Sequence, residues 1–416
     1  MEKAEIKSKK KSFKRENPKN LLIVSFIVGF LALMQNKYGI GSDIRSFYAL
    51  HFLDGQHAWP FSEKIVMGTD IVQNPVEYPA LTGLIMWLLT FPISPSPTDF
   101  YSYYRLTAIF NLILLSASSY LIYRLASRKY AYYFALAPAV LYALNRNWDI
   151  WAVTTMLLAI LLFERQKYSL SAILLSISVA TKFFPIVLML PIMIIFLRNK
   201  QLYEFLKYGF TTLTTWILIN LPFIFINFEG WLYFYKFSAE RALGSASIYE
   251  LTTILFPSIR FSLLHFYLLN FTVFLVVTIF LLKLKQIPTL AQISFFVLFT
   301  FILFNKQYSM QYVIWLTALS VVSLSFAPRK SRENLTYLYF AWQMFEIIFQ
   351  YAFFQKLLTD KYADSETPMT IAVSANTYAS LGVVRYLLAV IFTVLLAKSL
   401  YKANLSQLNE THRSKV

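Results

Sequence analysis

Uncharged apolar runs recur along most of this chain, and many come close to the length needed to cross a bilayer as a helix. A helical crossing takes roughly 20 residues, since each adds about 1.5 Å against about 30 Å of hydrocarbon. Inside hydrocarbon a backbone N–H has no water to bond, which leaves only helices or closed barrels. Barrel strands would alternate apolar and polar residues over about ten positions. These runs are solidly apolar instead, so the expected fold is all-α. The rarity of charge agrees: 14% of residues are charged and 57% hydrophobic, with a mean hydropathy of +0.53. A soluble domain carries about 25% charged residues. The chain therefore reads as a polytopic integral membrane protein, little of which can fold in water.

Thirteen apolar segments can be delimited. They are Leu21–Tyr38, Pro79–Ile93, Leu106–Tyr123, Tyr132–Leu144, Ile150–Phe163, Leu170–Lys182, Phe184–Leu197, Phe205–Asn227, Leu263–Leu282, Thr289–Phe304, Tyr308–Phe326, Leu335–Phe354 and Ser380–Ala397. No linker rich in Gly, Ser or Pro divides them, so one transmembrane domain is expected over 20–400, between a basic tail (1–19) and a second tail (401–416). The net charge of +17 could signal a nucleic-acid binder. Its distribution points to topology instead. Lys7, Lys9, Lys10, Lys11, Lys14 and Arg15 crowd the N-terminal tail, and most other basic residues punctuate short gaps between segments. That is the positive-inside pattern, with attraction to anionic lipid besides, and it places both tails in the cytoplasm. No nucleic-acid partner is expected. With no cysteine there is no disulfide and no thiolate site, and four scattered histidines make no zinc cluster. The first segment has a basic flank but no small-residue cleavage pattern, so it reads as a retained anchor.

Segment parity conflicts at one point. If the loop after Tyr38 is outside and Arg124 inside, the two segments between them cannot both cross. Pro79–Ile93 is short and ends among Pro92, Pro95 and Pro97, so it is expected to dip or span incompletely, leaving about twelve crossings. Two outer loops are then long, about 39–78 and 228–262. Asp43, Asp54, Glu63, Asp70 and Glu77 lie in the first and Glu229, Glu240 and Glu250 in the second, eight of the chain's 21 acidic residues. Long loops are more often functional than connective, although solvated loop charge alone accounts for the same pattern.

Within these loops several groups could carry chemistry. Asp43 follows the first segment in Gly-Ser-Asp-Ile-Arg-Ser-Phe-Tyr. A carboxylate at the hydrocarbon boundary is partly desolvated, which raises its pKa and makes it a better base. It would serve equally as a helix cap or as an ion pair for Arg45. Glu77-Tyr78-Pro79 suits an ordinary helix start, with the proline in the first turn and the acid at the positive end of the dipole. The same turn could aim Glu77 or Tyr78 into the loop cavity. Lys182 interrupts an apolar run just before Pro185. A lysine at membrane depth faces a cavity or partner, or snorkels to the headgroups. Arg241 offers a planar fork for a phosphate, or an ion pair for Glu240 or Glu250. Lys306 stands beside Gln307 and Gln311 at another boundary, and Arg45 and His57 complete the candidate substrate contacts. Glu346 and Arg385 lie within segments, where a structural ion pair, a gate and a catalytic role all fit.

In this order the fragments resemble the C-type (GT-C) glycosyltransferase superfamily, a first span followed at once by an Asp-containing loop. More narrowly, the chain is similar to bacterial mannosyltransferases that use polyprenyl-phosphate-mannose. Glu77-Tyr78-Pro79-Ala80-Leu81 resembles that family's Tyr-Pro-Pro-Leu stretch, with Ala80 in place of the second proline. The run from Asn147 to Lys182-Phe183-Phe184-Pro185 resembles its small-residue helix pair ending in Lys-x-x-Pro. Arg241–Ser247 and Ser309–Leu316 resemble later stretches. The resemblance implies inverting transfer of one hexose, mannose by the family, from a polyprenyl-phosphate donor to a hydroxyl of a glycolipid or glycan at the outer face of the cell membrane. Phosphate leaves without a strong acid, so one carboxylate base suffices; Asp43 is the candidate. Arg241, Lys182 and Lys306 would stabilise the departing phosphate. No metal or other cofactor is expected, since no Asp-x-Asp or nucleotide-sugar domain stands in an outer loop. Another lipid-linked transferase or ligase, a lipid or sugar transporter, and an inactive membrane subunit are the rival readings; a transporter would be expected to show inverted repeats, and no convincing one is visible.

Overall fold

The computed structural model of the chain describes residues 17–51, 59–62, 65–67, 70–72, 75–93, 99–244, 246–361 and 372–413. The apolar blocks become helices, beginning with α1 (Lys19–Gln35). Gly39 and Gly41, both at left-handed φ (63° and 69°), then reverse the chain into α2 (Asp43–His51). The Tyr104 ring lies 2.6 Å from where a Cβ on Gly39 would sit, so space as well as φ demands glycine there. Among the described residues the all-α expectation has one exception, an antiparallel hairpin of β1 (Ile65–Met67) and β2 (Asp70–Val72) with Ile65 opposite Val72.

Next come α3 (Ala80–Leu88), α4 (Asp99–Leu125), α5 (Arg128–Ala135) and α6 (Pro138–Ala143). Two segments thus shorten, where parity had singled out one. Nine residues make α3 about 13 Å long, well short of the hydrocarbon. Tyr132–Leu144, read as a single span, breaks between α5 and α6. Pro138 is the cause: it disfavours a helical residue before it, and Ala137 is extended (φ −64°, ψ 115°).

A tight pair follows, α7 (Asp149–Glu164) and α8 (Tyr168–Thr181), then a 3-10 turn (Phe184–Leu188) running into α9 (Met189–Arg198). The long α10 (Leu202–Ile226) leads to α11 (Phe228–Glu240) and α12 (Ile248–Leu255), so the second loop expected from sequence is largely helical. After α13 (Leu263–Lys283) and α14 (Leu290–Leu303), a short 3-10 turn (Met310–Tyr312) opens α15 (Val313–Ser325). Two long helices, α16 (Arg329–Lys361) and α17 (Ala375–Arg413), close the chain.

Among the described residues, four helices are long and apolar enough to cross a membrane: α4, α10, α13 and α17 over Ala375–Ala403. Shorter apolar helices accompany them, α1, α8, α14 and the stretches 184–198 and 310–325. This is a multi-pass membrane protein, and its lengths by themselves do not reach the twelve crossings expected. The core lies where α14 and α15 pack on α7, with Val313 through Leu324 all buried along α15. The equally apolar α13 buries only Leu281, leaving its surface to lipid.

Candidate functional site

The first wall of the site is built on the turn between α6 and α7. Asn111, buried in α4, donates Nδ2 hydrogen bonds to the carbonyls of Leu144 and Asn147, both at 3.0 Å, and accepts from Trp151 Nε1 at 2.8 Å. The turn so held grips the start of α2. Arg146 donates to the carbonyls of Ile40 (3.1 Å) and Gly41 (3.0 Å), and its own carbonyl accepts from Asp43 N at 2.7 Å. Ser42 heads the helix, its hydroxyl accepting from Arg45 N at 3.3 Å. Asp43 therefore sits in a fixed first turn, outside any spanning helix, with the dipole favouring its charge.

Lys182 arrives from the other side. Helix α8 ends at Thr181, whose carbonyl accepts from Thr82 Oγ1 of α3 at 2.6 Å, and Lys182 itself is extended (φ −147°, ψ 130°). Its ammonium pairs with Asp149 Oδ1 at 2.7 Å, with the carboxylate fully buried and the lysine side chain 14% exposed. Trp315 Nε1 donates to the other oxygen of Asp149 at 3.1 Å. The ammonium lies 4.6 Å from the Tyr78 ring centre and 6.0 Å from that of Tyr312. Tyr78 in turn donates a long bond, 3.4 Å, to Asp43 Oδ2 and packs edge-on against Phe47 and Trp148. Burial pushes the Asp43 carboxyl up to about 6, with Lys182 opposing the rise and Asp149 adding to it. Glu77 is also raised by burial, with Arg241 pulling it back and Asp43 adding to the rise.

Across the cleft stands the connection from α11 to α12. Arg241 is exposed there, its guanidinium 5.3 Å from the Phe237 ring centre. Lys306 lines the cleft too, but its ammonium donates to the Ala239 carbonyl at 2.6 Å, and burial lowers its pKa. Gln307 Nε2 donates to the Ala242 carbonyl at 3.1 Å, and Gly244 N to the Lys306 carbonyl at 3.0 Å. Lys306 and Gln307 thus brace the connection that carries Arg241.

The resulting cleft has a volume of about 610 Å³. It gathers Asp43, Glu77, Tyr78, Lys182, Arg241, Lys306 and Gln311, contributed by separate stretches of sequence. Arg45 is not brought to it. That guanidinium bonds to the Tyr38 carbonyl at 3.2 Å and stacks on Phe100 (4.6 Å) and Tyr101 (5.2 Å). His57 lies outside the described residues. Sequence reasoning missed Asp149 and Tyr312, which hold and flank Lys182. A lone acid heading an apolar helix, in Asn-Arg-Asn-Trp-Asp149, was the available signal. Among the described residues no three His, Asp or Glu side chains converge as a metal site would require.

No protein-family profile matches the chain, and no curated protein matches it in sequence. Among solved structures it is similar to ArnT from Cupriavidus metallidurans bound to undecaprenyl phosphate. That match has a TM-score of 0.46 at 14% identity and covers 92% of this chain and 77% of the other.

Proposed function

We propose that this chain transfers one hexose, mannose by its family resemblance, from a polyprenyl-phosphate donor to a hydroxyl of a glycolipid or glycan at the outer face of the membrane. The observation that carries this reading is a single cleft holding Asp43, with its raised pKa, together with the cations Lys182 and Arg241. A base with a pKa near working pH takes a hydroxyl proton most effectively. Asp43 takes that proton, and the acceptor oxygen attacks the anomeric carbon on the face opposite the phosphate. The bond from that carbon to the phosphate oxygen breaks, and the configuration inverts. The polyprenyl phosphate leaves with the extra negative charge, which Lys182 and Arg241 stabilise. Asp43 then releases its proton to solvent.

Asp149 keeps Lys182 charged and aimed, and Tyr78 bridges the two halves by touching both Asp43 and Lys182. An apolar groove of about 340 Å³ runs between α8 and α10, lined by Val179, Phe183, Ile186, Met189, Leu213 and Trp216. Phe183 lines the cleft as well. The groove would suit an isoprenoid chain whose phosphate lies in the cleft.

The test uses the purified full-length protein in detergent, with radiolabelled polyprenyl-phosphate-mannose and a glycolipid acceptor. Labelled acceptor should form without any sealed compartment, and Asp43→Asn should abolish it while the protein stays folded. Full activity of that variant would remove Asp43 as the base. Absence of any product with a panel of lipid-phosphate sugars would sink the reaction class.

A further inference from the structure

Among the described residues a second buried pair of opposite charges lies outside the cleft, and the function above does not use it. Arg385 of α17 and Glu346 of α16 are both fully buried, with Arg385 Nε 3.7 Å from Glu346 Oε1. The same carboxylate oxygen accepts from Tyr308 OH and Trp342 Nε1, each at 2.9 Å. The guanidinium is stacked 3.7 Å from the Tyr308 ring centre and 4.0 Å from that of Phe349.

What this assembly reaches is the connection between α11 and α12. Arg385 Nη2 donates to the Ala246 carbonyl at 3.4 Å, and Tyr386 OH donates to the same carbonyl at 3.3 Å. Ala246 is left-handed (φ 62°), a conformation a residue with a side chain holds only where its surroundings fix it. The fixing groups are identifiable. Ala246 N donates to Glu250 Oε2 at 2.5 Å, and Tyr378 OH of α17 donates to that same oxygen at 2.9 Å. Both polar groups of one strained peptide position are therefore anchored to α17, directly or through Glu250. Five residues upstream stands Arg241.

We infer that Arg385 and Tyr386, with Glu346 orienting the arginine, are positioning residues that hold the α11–α12 connection so that Arg241 meets the phosphate in the cleft. The inference rests on the proposed function for the phosphate, but the ordering of the connection can be measured without it. A guanidinium stacked between two rings has one accessible arrangement, whereas an exposed loop braced only by Lys306 and Gln307 would have several.

The chain has no cysteine, so Ala242→Cys gives the full-length protein a single site for a nitroxide label. Label mobility is read by EPR, and transfer kinetics with polyprenyl-phosphate-mannose are read in parallel in the unlabelled protein. Tyr386→Phe keeps the ring packed and removes the hydroxyl that bonds to Ala246. It should make the label more mobile and raise donor KM by about threefold, the size expected for one neutral hydrogen bond. Arg385→Met should do the same by about tenfold, as for a charged donor. If that variant does not fold, Tyr386→Phe still decides. Combined with Arg241→Ala, Tyr386→Phe should raise donor KM no further than Arg241→Ala alone. Unchanged label mobility in Tyr386→Phe, or KM effects that multiply in the double variant, overturns the assignment. Failure of the unmodified protein to use the donor overturns the proposed function instead, and the label still judges the connection.

Discussion

Asp149 with Lys182 and Glu346 with Arg385 are built from the same parts. Each carboxylate accepts an indole N–H, from Trp315 at 3.1 Å and Trp342 at 2.9 Å, and each cation lies against a tyrosine ring. One stretch, Tyr308 to Trp315, supplies a ring to both assemblies. They differ in what they open onto. Lys182 keeps 14% of its side chain exposed to the cleft, whereas Arg385 keeps none. A buried pair with one open face has ammonium hydrogens left for a ligand. A sealed pair can act only on protein groups, here the carbonyl of Ala246. Access, more than charge, separates the two pairs in what they can contact.

The sharpest way to break that comparison is at Asp43, the proposed base, which lines the same cleft as the open pair. Asp43→Asn should lower transfer by about a thousandfold, the scale of a lost general base. It should also raise the thermal unfolding midpoint. The sign follows from the raised pKa: the stability linked to Asp43 is complete below its ordinary value of 3.8 and is lost as pH rises through about 6. At neutral pH the ionised carboxylate therefore weakens the fold, and asparagine relieves it. A midpoint that falls would contradict that account of its burial.

Next in size, Glu346→Gln strands Arg385 in the core and should cost about 3–5 kcal/mol by thermal unfolding in detergent, while kcat of the folded fraction holds. Asp149→Asn should do the reverse, with the larger loss in kcat and the smaller in stability, because Lys182 can turn to the cleft. Equal patterns in the two variants would erase the distinction between open and sealed pairs.

The pH profile comes third: kcat/KM should fall about tenfold per unit below pH of about 6, as Asp43 takes up its proton. An unchanged profile in the Asp43→Glu variant would assign the break to another group. Arg241→Ala should raise donor KM by about tenfold and leave acceptor KM alone, as expected for a charge-assisted phosphate contact. The smallest effect belongs to Arg45→Ala, within about twofold of the parent in initial-rate assays, because its guanidinium stacks away from the cleft.

Much of the cleft was legible one residue at a time. Asp43, Lys182 and Arg241 each drew attention as charge set against an apolar background, where charge is costly without a purpose. Their partners were not legible. Lys306 reads as a phosphate cation from its neighbours in sequence, yet its ammonium bonds to Ala239, 67 positions away. Asp149 stands just ahead of an apolar segment, and only the packing of the α7–α8 pair brings Lys182 onto it. The segment count suffered in the same way. Hydropathy marks an apolar stretch, but Pro138 decides that Tyr132–Leu144 is two short helices.

The sequence by itself determined that this chain is helical and lives in a bilayer. The physical reason is local: backbone groups in hydrocarbon must find partners within the protein, and runs that are solidly apolar rather than alternating do so as helices. It also marked the scarce charges that had to have partners or purposes. Only the tertiary structure decided which charge met which. Pairing depends on how α7, α8, α16 and α17 pack. Whether a buried pair then faces a cleft or a core is a matter of which neighbouring helices cover it, and no stretch of the sequence contains that information alone.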